Sequence, residues 1–164
     1  MYKLGHYGVA LLVYAPLAFA LLVAGYEVAA LLGGAGMVVL STLPDIDHQL
    51  PLVSHRGPTH SVLFALVVGG GVAAIVMVFA PPYLGDTGTP VAAGFGFGVG
   101  TLAVLAHLLG DALTPMGIRP FWPVSDASFS LSVTRASSPV ANYLLFALGV
   151  LAAAGALVGA GRIV

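Results

Sequence analysis

The chain has five histidines, and three of them, His48, His55 and His60, fall in the stretch Leu43 to Ser61, LPDIDHQLPLVSHRGPTHS. Asp45, Asp47 and Arg56 share that stretch, in a sequence with only six acidic and five basic residues altogether. Downstream, His107 and Asp111 are spaced i, i+4 in LAVLAHLLGDAL. On a helix that spacing puts both side chains on one face, about 5–6 Å apart at Cβ, so both can reach one metal ion. Several imidazoles and carboxylates, with no cysteine anywhere, specify a nitrogen and oxygen donor site for one or two divalent ions. Zinc leads, and manganese, iron or nickel are compatible.

Asp45 and Asp47 stand two residues apart in PDID, and in a turn either or both can point inward. One carboxylate would ligate a metal while the other takes a proton from water, and the spacing leaves open which does which. Helix-end chemistry explains Asp45 alone but not DIDH followed by HRGPTH. His60 is the better ligand because the start of the next helix holds it. His48 and His55, with Thr59, Ser61 and Thr114, are candidates for orienting ligands or facing a substrate. Arg56 suits an anion, since a guanidinium matches phosphate oxygens in bidentate geometry; a topology anchor reaching lipid headgroups is its other reading. Other chemistries lack their signatures, with no HExxH, no GxSxG and no Walker lysine.

The elements that must position these residues are membrane spans. Of 164 residues, 59% are hydrophobic and 7% charged, and the mean hydropathy is +1.05. Soluble domains carry about 25% charged residues, so this is an all-α integral membrane protein. A net charge of −1 without a basic patch excludes a nucleic-acid partner. Crossing about 30 Å of hydrocarbon takes about 20 helical residues. Five runs qualify within a single domain over 1–164: 7–24, 28–43, 61–80, 91–109 and 140–158, with site loops at 44–60 and 110–139. The first run, behind Lys3, reads as a retained helix and not a signal peptide. A turn is expected over Pro81 to Pro90.

Five spans put the termini on opposite sides. Lys3, Arg56, Arg119 and Arg135 fall on one side and Arg162 on the other, which makes the first side cytoplasmic in a multi-pass cell-membrane protein. His6, the Asp45 to His60 cluster and the His107/Asp111 pair all fall on that same face. Ionisable groups beside hydrocarbon cost at least about 2.5 kcal/mol each on insertion scales, so they need a shared partner, and a divalent cation supplies one. Gly94/Gly98 and Gly96/Gly100, and Ala152, Ala156 and Ala160, are expected to pack helices closely within the bundle or against a second copy. FWPVSDASFSLSV, Phe121 to Val133, suits an interfacial hairpin beside Trp122.

The order His6, LPDIDH, HRGPTHS and HLLGDALTPMGIRPFWPVS resembles the YdjM-like family of membrane-bound, predicted metal-dependent hydrolases, over Gly5 to about Leu131. It is more distantly similar to zinc-dependent phospholipase C and the P1-type nucleases. That similarity implies that His6, His60, His107 and Asp111 are ligands of two metals, with Asp111 bridging, and that Asp45 or Asp47 lies near the attacking water. The chain departs from that pattern after Asp111, where it has neither histidine nor glutamate, so a third metal has no ligands.

The expected function is a metal-dependent hydrolase of phosphoric esters, acting on a phospholipid, lipid phosphate or other lipid-linked substrate. Asp45, Asp47 and Arg56 would be its catalytic residues; His6, Asp45, His60, His107 and Asp111 would hold the metal. A metal-ion or proton transporter, and a non-catalytic scaffold with a structural metal, are the alternatives.

Overall fold

A computed structural model describes residues 1–49 and 57–163, with the backbone only at positions 48 and 49. His55 and Arg56, and the side chain of His48, lie outside the described residues. Five helices follow one another: α1 (Lys3–Val23), α2 (Glu27–Leu40), α3 (Val62–Phe79), α4 (Pro81–Ala112) and α5 (Pro139–Ala160). Each is long and apolar enough to cross a membrane, α2 by way of its continuation to Asp47. Among the described residues there is no strand.

Two boundaries differ from expectation for local reasons. The second span leaves the α-helix at Leu40, where Ser41 Oγ and Thr42 Oγ1 donate to the carbonyls of Val38 and Val39. The backbone then tightens into a 3₁₀ segment, Leu43–Gln49, that carries Asp45 and Asp47. The expected turn over Pro81 to Pro90 is helical instead. Pro81 opens α4, and the break is one residue, Gly85, at φ 66° and ψ −175°, a conformation that favours glycine. Pro90 stands little more than a turn past that break, near the start of the long piece, where a missing N–H costs little.

Helix α4 is the centre of the bundle. It packs along α3 and also meets α1 and α2, while α1 packs on α5 and α2. The α1–α5 contact is backbone against backbone. A Cβ at Gly8 would collide with the main chain of Leu145, and one at Gly149 with the carbonyl of Gly8. In a bilayer such close approach replaces the water-driven burial that lipid cannot supply. Gly96 and Gly100 pack on α3, beside Val72 and Gly69, as their spacing predicts. A Cβ at Gly94 or Gly98 would meet open space, so that pair does not pack within the bundle. Ala156 and Ala160 are buried.

The expected hairpin after α4 is a strap closed by a single antiparallel bridge between Ile118 and Phe129. Pro120 and Pro123 remove two N–H donors that a longer ladder would need. The strap instead satisfies helix ends. Leu131 N donates to Ala112 O at 2.7 Å, Val133 N to Leu113 O at 2.8 Å, and Val62 N to Pro120 O at 2.9 Å.

Candidate metal centre

Four elements deliver the chemistry to one end of the bundle. His6 comes from the first turns of α1, Asp45 and Asp47 from the 3₁₀ segment after α2, His60 from the turn before α3, and His107 and Asp111 from the last turns of α4. Ser61 starts α3 as its N-cap, accepting from Phe64 N at 3.2 Å, and so holds His60 one residue outside the helix. His6, His60, His107, Asp111 and Asp47 are buried, whereas the Asp45 side chain is 23% exposed and marks the way in.

One donor atom each from Asp45, His60, His107 and Asp111 lies within 4.8 Å of the others, a group that could hold a divalent ion. The separations are specific. His107 Nε2 is 3.1 Å from His60 Nε2. Asp111 Oδ2 is 3.4 Å from His60 Nε2 and 3.6 Å from His107 Nε2. Asp45 Oδ1 is 3.7 Å from His60 Nε2 and 3.6 Å from His107 Nε2. Donors about 2.0–2.1 Å from a tetrahedral zinc ion stand about 3.3–3.4 Å apart, and these five separations lie close to that value.

The remote nitrogens fix how the imidazoles point. His107 Nδ1 is 2.7 Å from the carbonyl of Ser41, which can only accept, so Nδ1 donates there and Nε2 is the ring atom that faces the cluster. His60 Nδ1 lies 3.3 Å from Asp47 Oδ2 and 3.0 Å from Thr59 Oγ1, and Thr59 in turn donates to Asp47 at 2.9 Å. Burial alone pushes the His60 pKa down, but hydrogen bonding to Asp111 and Asp45 outweighs it and raises the pKa. A cation and a proton therefore compete for the same place.

His6 lies beside this group, stacked on His107, with Nε2 3.6 Å from Asp111 Oδ1 and 4.0 Å from Asp45 Oδ2. Neither of its buried ring nitrogens has a hydrogen-bond partner among the described residues. The Met1 ammonium reaches the same Asp111 Oδ1 at 2.7 Å. Each carboxylate thus divides its two oxygens, one toward the His60/His107 pair and one toward His6.

The structure separates the two aspartates that spacing left open. Asp45 faces the cluster, and Asp47 faces the far side of His60. Ser61 serves as a helix cap, and Thr114 Oγ1 donates to the carbonyl of Asp111 at 2.8 Å. Sequence reasoning missed Ser41, which acts through its carbonyl and has no signature in residue type. It also missed Asn142, the only asparagine of the chain. Buried in α5, Asn142 accepts from Tyr2 N at 2.9 Å and donates to the carbonyls of Ala136 and Ser138, at 3.0 and 2.7 Å, fixing the chain just before His6. A lone amide in an apolar span was the available signal.

A helical protein with five membrane-length helices and a buried imidazole–carboxylate cluster at one end of the bundle is the class that fold and site define. The chain belongs to the YdjM inner membrane protein family, whose model matches residues 1–163. Family membership by itself carries no activity. No curated protein and no solved structure matches the chain. These comparisons do not show the expected likeness to zinc-dependent phospholipase C or the P1-type nucleases.

Proposed function

We propose that this chain is a membrane-bound, metal-dependent hydrolase of phosphoric esters, with a phospholipid or lipid phosphate as substrate and its site at the cytoplasmic face. The observation that carries the reading is the divided orientation of the two carboxylates. Asp45 Oδ1 and Asp111 Oδ2 join His60 and His107 as four donors for one ion, while Asp45 Oδ2 and Asp111 Oδ1 join His6 for a second.

Divalent ions so held supply Lewis acidity toward phosphoryl oxygens and a nucleophile from water at neutral pH. The residues do the rest. His60 and His107 present unprotonated Nε2 atoms because Asp47 and the Ser41 carbonyl engage the opposite nitrogens. Asp45, the one member of the cluster with a partly exposed side chain, stands where water and substrate enter. Arg56, close in sequence to His60, is the candidate to hold a phosphate. The cytoplasmic orientation rests on Lys3, Arg119 and Arg135, which share the site's end of the chain topology. Among the described residues no Asp, Glu, Lys, Arg or His occupies the middle of a helix, which favours this reading over an ion path across the bundle.

Elemental analysis of the detergent-purified protein, paired with phosphate release from a panel of lipid phosphates and phospholipids, tests the proposal. Stoichiometric zinc or manganese and turnover that Asp45→Asn abolishes are expected. Metal without turnover on any phosphoester would favour a structural metal site, and absence of metal would end the reading.

A further inference from the structure

Residues 113–138 join α4 to α5 and lie outside every helix. Their level relative to the bundle is set by the backbone bonds from Pro120 O to Val62 N and from Leu131 N to Ala112 O, with Val133 N and Thr134 N closing on Leu113 O at the end of α4. Helix α3 is apolar from its first residue and has 18 residues, about 27 Å at 1.5 Å each, so it crosses the hydrocarbon with nothing to spare. Val62 therefore marks the polar edge of one leaflet. A strap bonded both to Val62 and to the last carbonyls of α4 is held at that edge.

The side chains it shows are not those of a water-facing loop. Met116, Phe121, Val124, Phe129, Leu131 and Val133 are all at least half exposed, Val124 at 92%. Exposed large apolar side chains concentrated in one short segment point to an interaction site. Its charges are few. Arg119 makes only a long contact of 3.8 Å to Asp126, with both side chains more than half exposed, and such a pair contributes little.

We propose that residues 113–138 form a strap seated in the membrane interface. Phe121, Val124, Phe129 and Leu131 enter the boundary between headgroups and acyl chains of the leaflet on the site's side, and Arg119 and Arg135 meet lipid phosphates. The partner is the glycerophospholipid surface itself. Aromatic rings sit favourably at that depth, and apolar area entering the boundary adds to the attraction of cationic side chains for anionic lipid. This inference needs the chain to be membrane-embedded but does not rest on the hydrolase reading.

Trp122 is the only tryptophan, so its fluorescence reports the strap alone. The full chain is reconstituted in phosphatidylcholine–phosphatidylglycerol vesicles containing lipids brominated either near the glycerol end or near the methyl end of the acyl chain. Blue-shifted emission is expected, quenched several-fold more by bromine near the glycerol end than near the methyl end, and little by aqueous iodide. Val124→Asp combined with Phe129→Asp should shift the emission red and raise iodide quenching while circular dichroism stays helical. Efficient iodide quenching of the unaltered protein, with neither brominated lipid effective, would overturn the proposal. So would a helical double variant whose emission and quenching are unchanged. Neither result depends on metal content or turnover, so failure here leaves the hydrolase reading standing, and the reverse.

Discussion

His6 of α1 lies flat on His107 of α4, with ring centroids 3.8 Å apart and planes 10° from parallel. The Nε2 atoms of both rings face Asp111, whose two oxygens receive them separately, Oδ1 at 3.6 Å from His6 and Oδ2 at 3.6 Å from His107. Two imidazoles arranged this way serve two neighbouring ions better than one. On the proposed two-ion reading, His6→Ala should lower the bound metal from two ions per chain to one, because the four-donor group of Asp45, His60, His107 and Asp111 stays complete. His107→Ala should deplete the four-donor ion first. Metal analysis of the purified variants decides, and equal loss from both would mean a single shared ion.

Asp47 acts at one remove. Its Oδ2 lies 3.3 Å from His60 Nδ1 and accepts from Thr59, so it holds the ring and makes Nε2 a better donor. Loss of such an outer partner typically weakens metal binding about 10–100-fold. Asp47→Ala should show that weakening in competition with a chromogenic chelator while still binding the full number of ions when metal is saturating. Thr59→Val should show a smaller effect in the same direction. An Asp47→Ala protein that has lost a whole ion would make Asp47 a ligand instead.

The members of the cluster were legible in the sequence because charge is so scarce in this chain that each ionisable residue is informative. His6 is the sharpest case. Nothing near it in sequence suggests a site, yet the four helices crossed from the start of α1 to the end of α4, an even number, already put it and His107 at one end of the bundle. Asp45 and Asp47 were not separable, because their inward or outward directions follow from the 3₁₀ winding of Leu43–Gln49, which the apolar pattern of the preceding helix does not foretell. Gly94 and Gly98 do not pack within the bundle for a similar reason: one glycine-rich helix carries two small faces, and only the rotation of α4 selects Gly96 and Gly100 for α3. The Pro81 to Pro90 stretch read as a turn because proline counts against a helix interior, whereas the break is confined to Gly85.

Asn142 links α5 to the site without touching it. Its side chain is buried and makes three hydrogen bonds, one of them to Tyr2 N, four residues before His6. Polar contacts between membrane helices average about 0.6 kcal/mol, but removing this amide also strands partners inside the protein, which costs about 1–3 kcal/mol. Asn142→Ala should lower the thermal midpoint in detergent and weaken the His6-dependent ion more than the four-donor ion. Should stability fall with the two ions equally retained, Asn142 is a packing residue only.

Removal of metal should also be visible as lost stability. Asp45 and Asp111 both direct an oxygen at His60 and His107, and Asp111 is buried, so without a cation two carboxylates share a poorly hydrated space. An ion that binds only the folded chain stabilises it by about 4 kcal/mol when its free concentration is about a thousandfold above its dissociation constant. A chelator should therefore lower the melting temperature of the purified protein by several degrees, and restored zinc should bring it back. In the double variant Asp45→Asn, Asp111→Asn the repulsion and the binding site disappear together, and the chelator should have no effect. Were the unaltered protein to melt at the same temperature with and without chelator, the cluster would be holding itself together through its own hydrogen bonds, with the Met1 ammonium on Asp111 and shared protons taking the place of an ion.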